Sequence, residues 1–201
     1  MLDRRVPGCP DWTLRDLAWH LGRVQRGWAR IIYARADVEP HFEEHKPGPT
    51  NADELQRSIR AATRDLLDAL RDVPPETPAW TWWRENRTVG AIGRHQVQEV
   101  AVHRWDAQSV VGAPRPLPEP VATDGVDEFL WVARQLRAAA PILFMTTDSQ
   151  LRVAASNAAP EVIVSGTASD LVLLLHGRIS LERIAVDGDR AVLDRYLTPV
   201  A

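Results

Sequence analysis

Cysteine is nearly absent: one residue, Cys9, in 201. That excludes an intrachain disulfide framework and fits a reducing compartment. No long apolar run is present, and the N-terminus, Met-Leu-Asp-Arg-Arg-Val-Pro, has no apolar signal core. Neither a membrane-spanning helix nor a secretory signal is therefore expected, and the default location is cytoplasmic. Basic residues do not exceed acidic ones: 24 Lys and Arg against 27 Asp and Glu give a net charge of −3, which leaves no basic footprint for nucleic acid. Phe and Tyr are scarce, three and two against eight Trp, so the indoles must supply most aromatic packing, with pocket lining as their second use. Internal repeats and low-complexity tracts are missing too. What is present, 45% hydrophobic and 25% charged residues, describes an ordinary globular chain with core enough for one large domain or two small ones.

Along the chain, Thr13 and Asp16 form a capping box for a helix in which Leu14, Leu17, Leu21, Val24, Trp28, Ile31 and Ile32 recur at helical spacing to about Ala34. Gly22 within it invites close approach of another backbone or a ligand. Asp37 to Asn51 is Pro-, Gly- and acid-rich and reads as a loop, in which His41, Glu43, Glu44 and His45 are read first as solvated residues and second as adventitious metal ligands. A second helix starts near Asn51, buries Leu55, Ile59, Ala62, Leu66 and Leu70, and stops at Val73-Pro74-Pro75. Trp80, Trp82 and Trp83 follow and are expected to cover the bundle end. A third helix begins after Thr88, and a Pro-rich connection from Gly112 to Pro120 precedes an amphipathic helix from about Asp124 to Ala140. Beyond Pro141, Ile142 to Met145, Leu151 to Ala155 and Glu161 to Val164 read as strands. A helix over Asp170 to Leu175 is capped by Thr167 or Ser169, Val186 to Asp189 reads as a turn, and Ala191 to Leu197 as a closing helix or strand.

The third helix is where chemistry concentrates. Ile92, Gln96, Glu99, His103, Ala107 and Val110 share one face at steps of three and four, apolar at its ends and polar in the middle. Glu99 and His103 project side by side, as two ligands of a divalent metal do when a third arrives from another helix. Such a pair also arises by chance on solvated faces. His20, beside the stripe of the first helix, is ordinarily read as a core-edge imidazole bonded to a neighbour. Two polar intruders on two helices point to one site, because burying them without partners is costly.

Two segments carry a resemblance. Cys9-Pro10-Asp11-Trp12-Thr13-Leu14-Arg15-Asp16-Leu17-Ala18-Trp19-His20-Leu21-Gly22 and Gln98-Glu99-Val100-Ala101-Val102-His103-Arg104-Trp105-Asp106-Ala107 together resemble the mycothiol-dependent maleylpyruvate isomerase family, a group of DinB-like metal-binding helical bundles. Gly166 to Leu171 and His176-Gly177-Arg178 look like that family's small, sterol-carrier-like C-terminal domain. The fold class implied is α+β: a DinB-like bundle over 1–113, completed by the helix at 124–140, and a small α+β domain over 114–201. The family normally has a further long helix before its Cys-Pro-Asp-Trp motif, whereas eight residues precede Cys9 here. One flank of the bundle is thus expected to be covered by the C-terminal domain or by a second copy of the chain in a homodimer. The segment between Leu151 and Glu161 also looks shorter than in family members.

The resemblance implies a divalent metal, usually zinc, held by His20, Glu99 and His103, the same three residues that interrupt the apolar stripes. It assigns no ligand role to His95, which is expected behind the site or on the surface, and a structural role to Cys9. Two His and one Glu leave a fourth position, the mark of a catalytic zinc. The family's donor there is understood to be mycothiol, whose thiolate attacks a small electrophile in cis-trans isomerisation or S-transfer. Arg178 is a candidate for holding a substrate carboxylate, a surface ion pair being the plainer reading. A non-catalytic metal-binding or regulatory module and a metal-dependent hydrolase are the alternatives.

Overall fold

In a computed structural model of the chain, residues 1–35, 47–136 and 138–198 are described, and they divide into two compact units, Met1–Pro114 and Arg115–Ala201. The loop cluster of His41, Glu43, Glu44 and His45 lies outside the described residues.

The first unit opens with a two-stranded antiparallel ribbon, β1 (Arg5–Val6) and β2 (Cys9–Thr13). The Cys-Pro-Asp-Trp-Thr segment is thus a strand, and its last residue caps the helix that follows. In α1 (Leu14–Ala34) the Thr13 hydroxyl accepts from the Asp16 backbone N–H while the Asp16 carboxylate accepts from the Thr13 N–H at 2.9 Å, closing the expected box. Asn51 caps α2 (Ala52–Asp72) and Thr88 caps α3 (Val89–Ser109), each accepting from a backbone N–H three residues on.

The pairs Gln25 with Thr63 and Tyr33 with Asp72 run in the same direction along α1 and α2, so these helices are parallel. The pairs His20 with Glu99 and Trp28 with His95 run in opposite directions, so α3 is antiparallel to α1. Gly22 serves the approach of a backbone: a Cβ there would meet Ile59 Cγ1 at 3.5 Å and Ile59 Cα at 3.7 Å. Most of the core falls on the predicted stripes, with Leu17, Ile32, Leu55, Ala62 and Ile92 at or below 2% exposure. Removing each of the larger of these side chains from water is worth about 1.5–3 kcal/mol. Val6 of the ribbon joins Leu17 and Val110 in a small buried cluster against which Cys9, Trp12, Leu14 and Ala107 pack.

The second unit begins with α4 (Glu119–Leu136). This helix was expected to start at 124 and to complete the bundle; it starts five residues earlier and clusters with the second unit, where it packs on the helix Ala168–Leu175. The Pro-rich connection runs into its first turn because Pro120 occupies a position whose N–H has no helical partner to lose. A mixed sheet follows in the order β4-β3-β5-β6: β3 (Ile142–Thr146) is parallel to β5 (Val162–Gly166) and antiparallel to β4 (Arg152–Ala154), and β6 (Ala185–Gly188) is antiparallel to β5. The segment read as a turn at Val186 to Asp189 is largely this edge strand. Its end resembles a turn in sequence because Gly188 takes φ of +107° as it crosses Val162. Every residue of α5 (Ala168–Leu175) is buried, Thr167 being its cap, and α6 (Arg190–Leu197) closes the chain with Tyr196 against Phe144 at 6.2 Å.

Candidate metal centre

Helical spacing alone sets His103 four residues after Glu99 on α3 and so on the same face. The antiparallel crossing with α1 brings in His20, 79 residues from Glu99 in sequence. His20 Nε2 lies 2.9 Å and His103 Nε2 3.5 Å from the same oxygen, Glu99 Oε1. One ligand atom from each residue can be chosen so that all lie within 4.8 Å of one another. The donor set is two imidazole nitrogens and a carboxylate oxygen, the borderline set that suits zinc and its neighbours.

Electrostatics tie the group together. Burial opposes ionisation of Glu99, but hydrogen bonds from His103 and His20 outweigh it and hold the carboxyl well below the usual carboxylate range. Burial also works against a charged His103, yet the Asp106 and Glu99 carboxylates lift it to about 9. Without a metal this favours the protonated ring, its Nδ1 donating to the Asp106 carboxylate. A metal ion would replace the proton on Nε2 and leave the one on Nδ1.

Asp106 is the residue that sequence reasoning passed over. Its carboxylate is fully buried and accepts from His103 Nδ1 at 2.8 Å, fixing the ring so that Nε2 faces Glu99 and His20. The signal was available in the His103/Asp106 spacing of three, inside a motif already singled out. Cys9 Sγ donates to the same carboxylate at 3.8 Å, so Cys9, His103 and Asp106 form a second cluster sharing one imidazole with the first. Trp12, also on β2, lays its ring 4.6 Å from His20 and 6.2 Å from His103.

His95 is brought neither behind the metal candidates nor to the bare surface. It packs among tryptophans, 5.1 Å from Trp83, 5.5 Å from Trp82 and 6.5 Å from Trp28, one turn of α3 below Glu99. Trp80 and Trp83 are buried, His95 is half-buried and Trp82 is 43% exposed, an aromatic end to the bundle as the sequence suggested. Arg178 belongs to the second unit, where its Nη1 donates to the His176 carbonyl at 2.7 Å.

Residues 1–108 match the mycothiol maleylpyruvate isomerase N-terminal domain, and residues 120–195 match the C-terminal domain of the same family. The chain belongs to the mycothiol maleylpyruvate isomerase family. Two crystal structures share the fold of this family member. One is of a His-to-Ala variant of the mycothiol-dependent maleylpyruvate isomerase, with a TM-score of 0.71 at 16% identity over 94% of this chain and 83% of that one. The other is of the mycothiol-dependent maleylpyruvate isomerase itself, with a TM-score of 0.62 at 15% identity and the same coverage. No curated protein matches the sequence. The two family domains meet between residues 108 and 120, the interval in which the compact units also divide.

Proposed function

We propose that this protein is a metalloenzyme that holds one divalent ion, zinc by its donor set, on His20 Nε2, a Glu99 oxygen and His103 Nε2, and uses mycothiol against a small electrophile. The observation that carries the reading is the convergence of three ligand atoms from two helices, with a buried carboxylate behind one of them. When bound at three protein ligands, such an ion lowers the pKa of a thiol at its open position and makes the nucleophilic thiolate available at neutral pH. The chain does the rest. Asp106 keeps a proton on His103 Nδ1 and so reserves Nε2 as a ligand. Trp12 shields one side of the two imidazoles from water. The Glu99 carboxylate balances the charge of the ion.

Thiolate addition to an activated double bond, rotation and expulsion yields cis-trans isomerisation; addition that stops there yields an S-transferase. Arg178 is our candidate for a substrate carboxylate, and the cytoplasm, where a lone thiol stays reduced, is the location that fits. The test is thiol consumption by zinc-loaded protein across a panel of electrophiles, with mycothiol and with glutathione, for wild type and His103→Ala. Mycothiol-dependent turnover that His103→Ala abolishes together with metal content is expected. Equal rates for the two proteins overturn the mechanism.

A further inference from the structure

One buried group on α3 has no structural employment. Gln96 is 4% exposed, and neither its Nε2 nor its Oε1 has a hydrogen-bond partner among the described residues. The fold does satisfy such a group elsewhere: Gln25 on α1, 6% exposed, accepts from the Thr63 hydroxyl at 2.7 Å. Leaving a buried carboxamide without partners is costly, so native proteins rarely keep one without a use. Gln96 lies three residues before Glu99 and seven before His103, on the stripe that bears both. Three-residue spacing on a helix sets Cβ atoms about 5–6 Å apart, within reach of anything seated beside Glu99.

We propose that Gln96 is a recognition residue for a secondary amide in the thiol cosubstrate, a role that rests on the thiol-using function above. The chemistry selects the ligand class. A carboxylate offers acceptors only and would satisfy Nε2 while leaving Oε1 facing another oxygen. An apolar group would satisfy neither atom. A secondary amide supplies a carbonyl to Nε2 and an N–H to Oε1, meeting both needs at once. A cysteine-derived thiol acylated on nitrogen carries such an amide close to its sulfur; the electrophile of an isomerase or transferase need not.

The experiment compares two thiols on zinc-loaded protein by calorimetric titration: N-acetylcysteinamide, which has the amide, and 2-mercaptoethanol, which lacks it. Wild type is expected to prefer the first by about tenfold or more, since a site built to hydrogen-bond a group discriminates against ligands without it. Gln96→Met keeps the length of the side chain and removes both polar atoms. It should erase that preference while leaving zinc content unchanged and the urea midpoint of the metal-free protein equal or higher. If Gln96→Met does not accumulate as folded protein, Gln96→Asn withdraws the same amide by one methylene and should lose the preference too. A variant that keeps the wild-type preference, or a wild type that binds both thiols equally, overturns the assignment of Gln96 alone. A wild type that holds zinc but binds no thiol at all overturns the functional reading and this inference with it.

Discussion

Asp106 makes the candidate centre sensitive to a group that is not itself one of its three candidate ligands. Asp106→Ala should lower zinc affinity by about 10–100-fold with the fold retained, because the imidazole loses the acceptor that fixes its ring and its tautomer. Competition against a chromophoric chelator measures it, and unchanged affinity would show that packing alone orients the ring. The proton on His103 also has a stability signature. His103 is raised from an ordinary 6.5 to about 9 in the metal-free fold, so it binds its proton more tightly folded than unfolded. The stability it contributes is full below about 6.5 and is lost as pH rises through about 9. Glu99, held below its ordinary 4.5, contributes in the opposite sense: its share is present above that value and fades as pH falls toward its folded pKa. Urea midpoints of chelator-treated protein should therefore fall between pH 6.5 and 9.5, and a flatter profile is expected for His103→Gln.

At the scale of elements, the caps and stripes were legible because their causes are local. Thr13 with Asp16, Asn51, Thr88 and Thr167 each cap the helix that their sequence context announces. The pairing of His20 with Glu99 was legible only because each breaks an apolar stripe; the distance between them belongs to the crossing of α1 and α3, which no local pattern specifies. Strands β1, β2 and β6 were missed for a related reason. Two to five residues leave little alternation to detect, Cys9–Thr13 reads as a lead-in to its helix, and β6 ends on the Asp-Gly pair that ordinarily marks a turn. Gly188 gives this a test. A Cβ there would stand 2.1 Å from the Glu161 carbonyl oxygen and 2.9 Å from Val162 Cα, at φ of +107°, so Gly188→Ala must push β6 off β5. Gly112 has φ of +72° and nothing within 4 Å, so Gly112→Ala meets only the left-handed backbone penalty. Equilibrium denaturation should show a cost of about 1 kcal/mol for Gly112→Ala and clearly more for Gly188→Ala.

On the whole-molecule scale, an ion bound to the native state alone adds stability by mass action, about 2.7 kcal/mol at a hundredfold excess over Kd. Zinc should raise the melting temperature of wild type in a concentration-dependent way, a chelator should reverse it, and His20→Ala should respond to neither. The separation of 79 positions between His20 and Glu99 adds a kinetic consequence. Neither helix holds the whole ligand set, so a nascent chain has no site until α3 has emerged and crossed α1, and closing so long a loop precedes any reward from the ion. On the proposed reading, the metal is then a late latch on a chain already folded. Stopped-flow refolding should proceed at the same rate with or without zinc, while unfolding of the loaded protein slows, placing the ion's whole effect on the exit from the native basin.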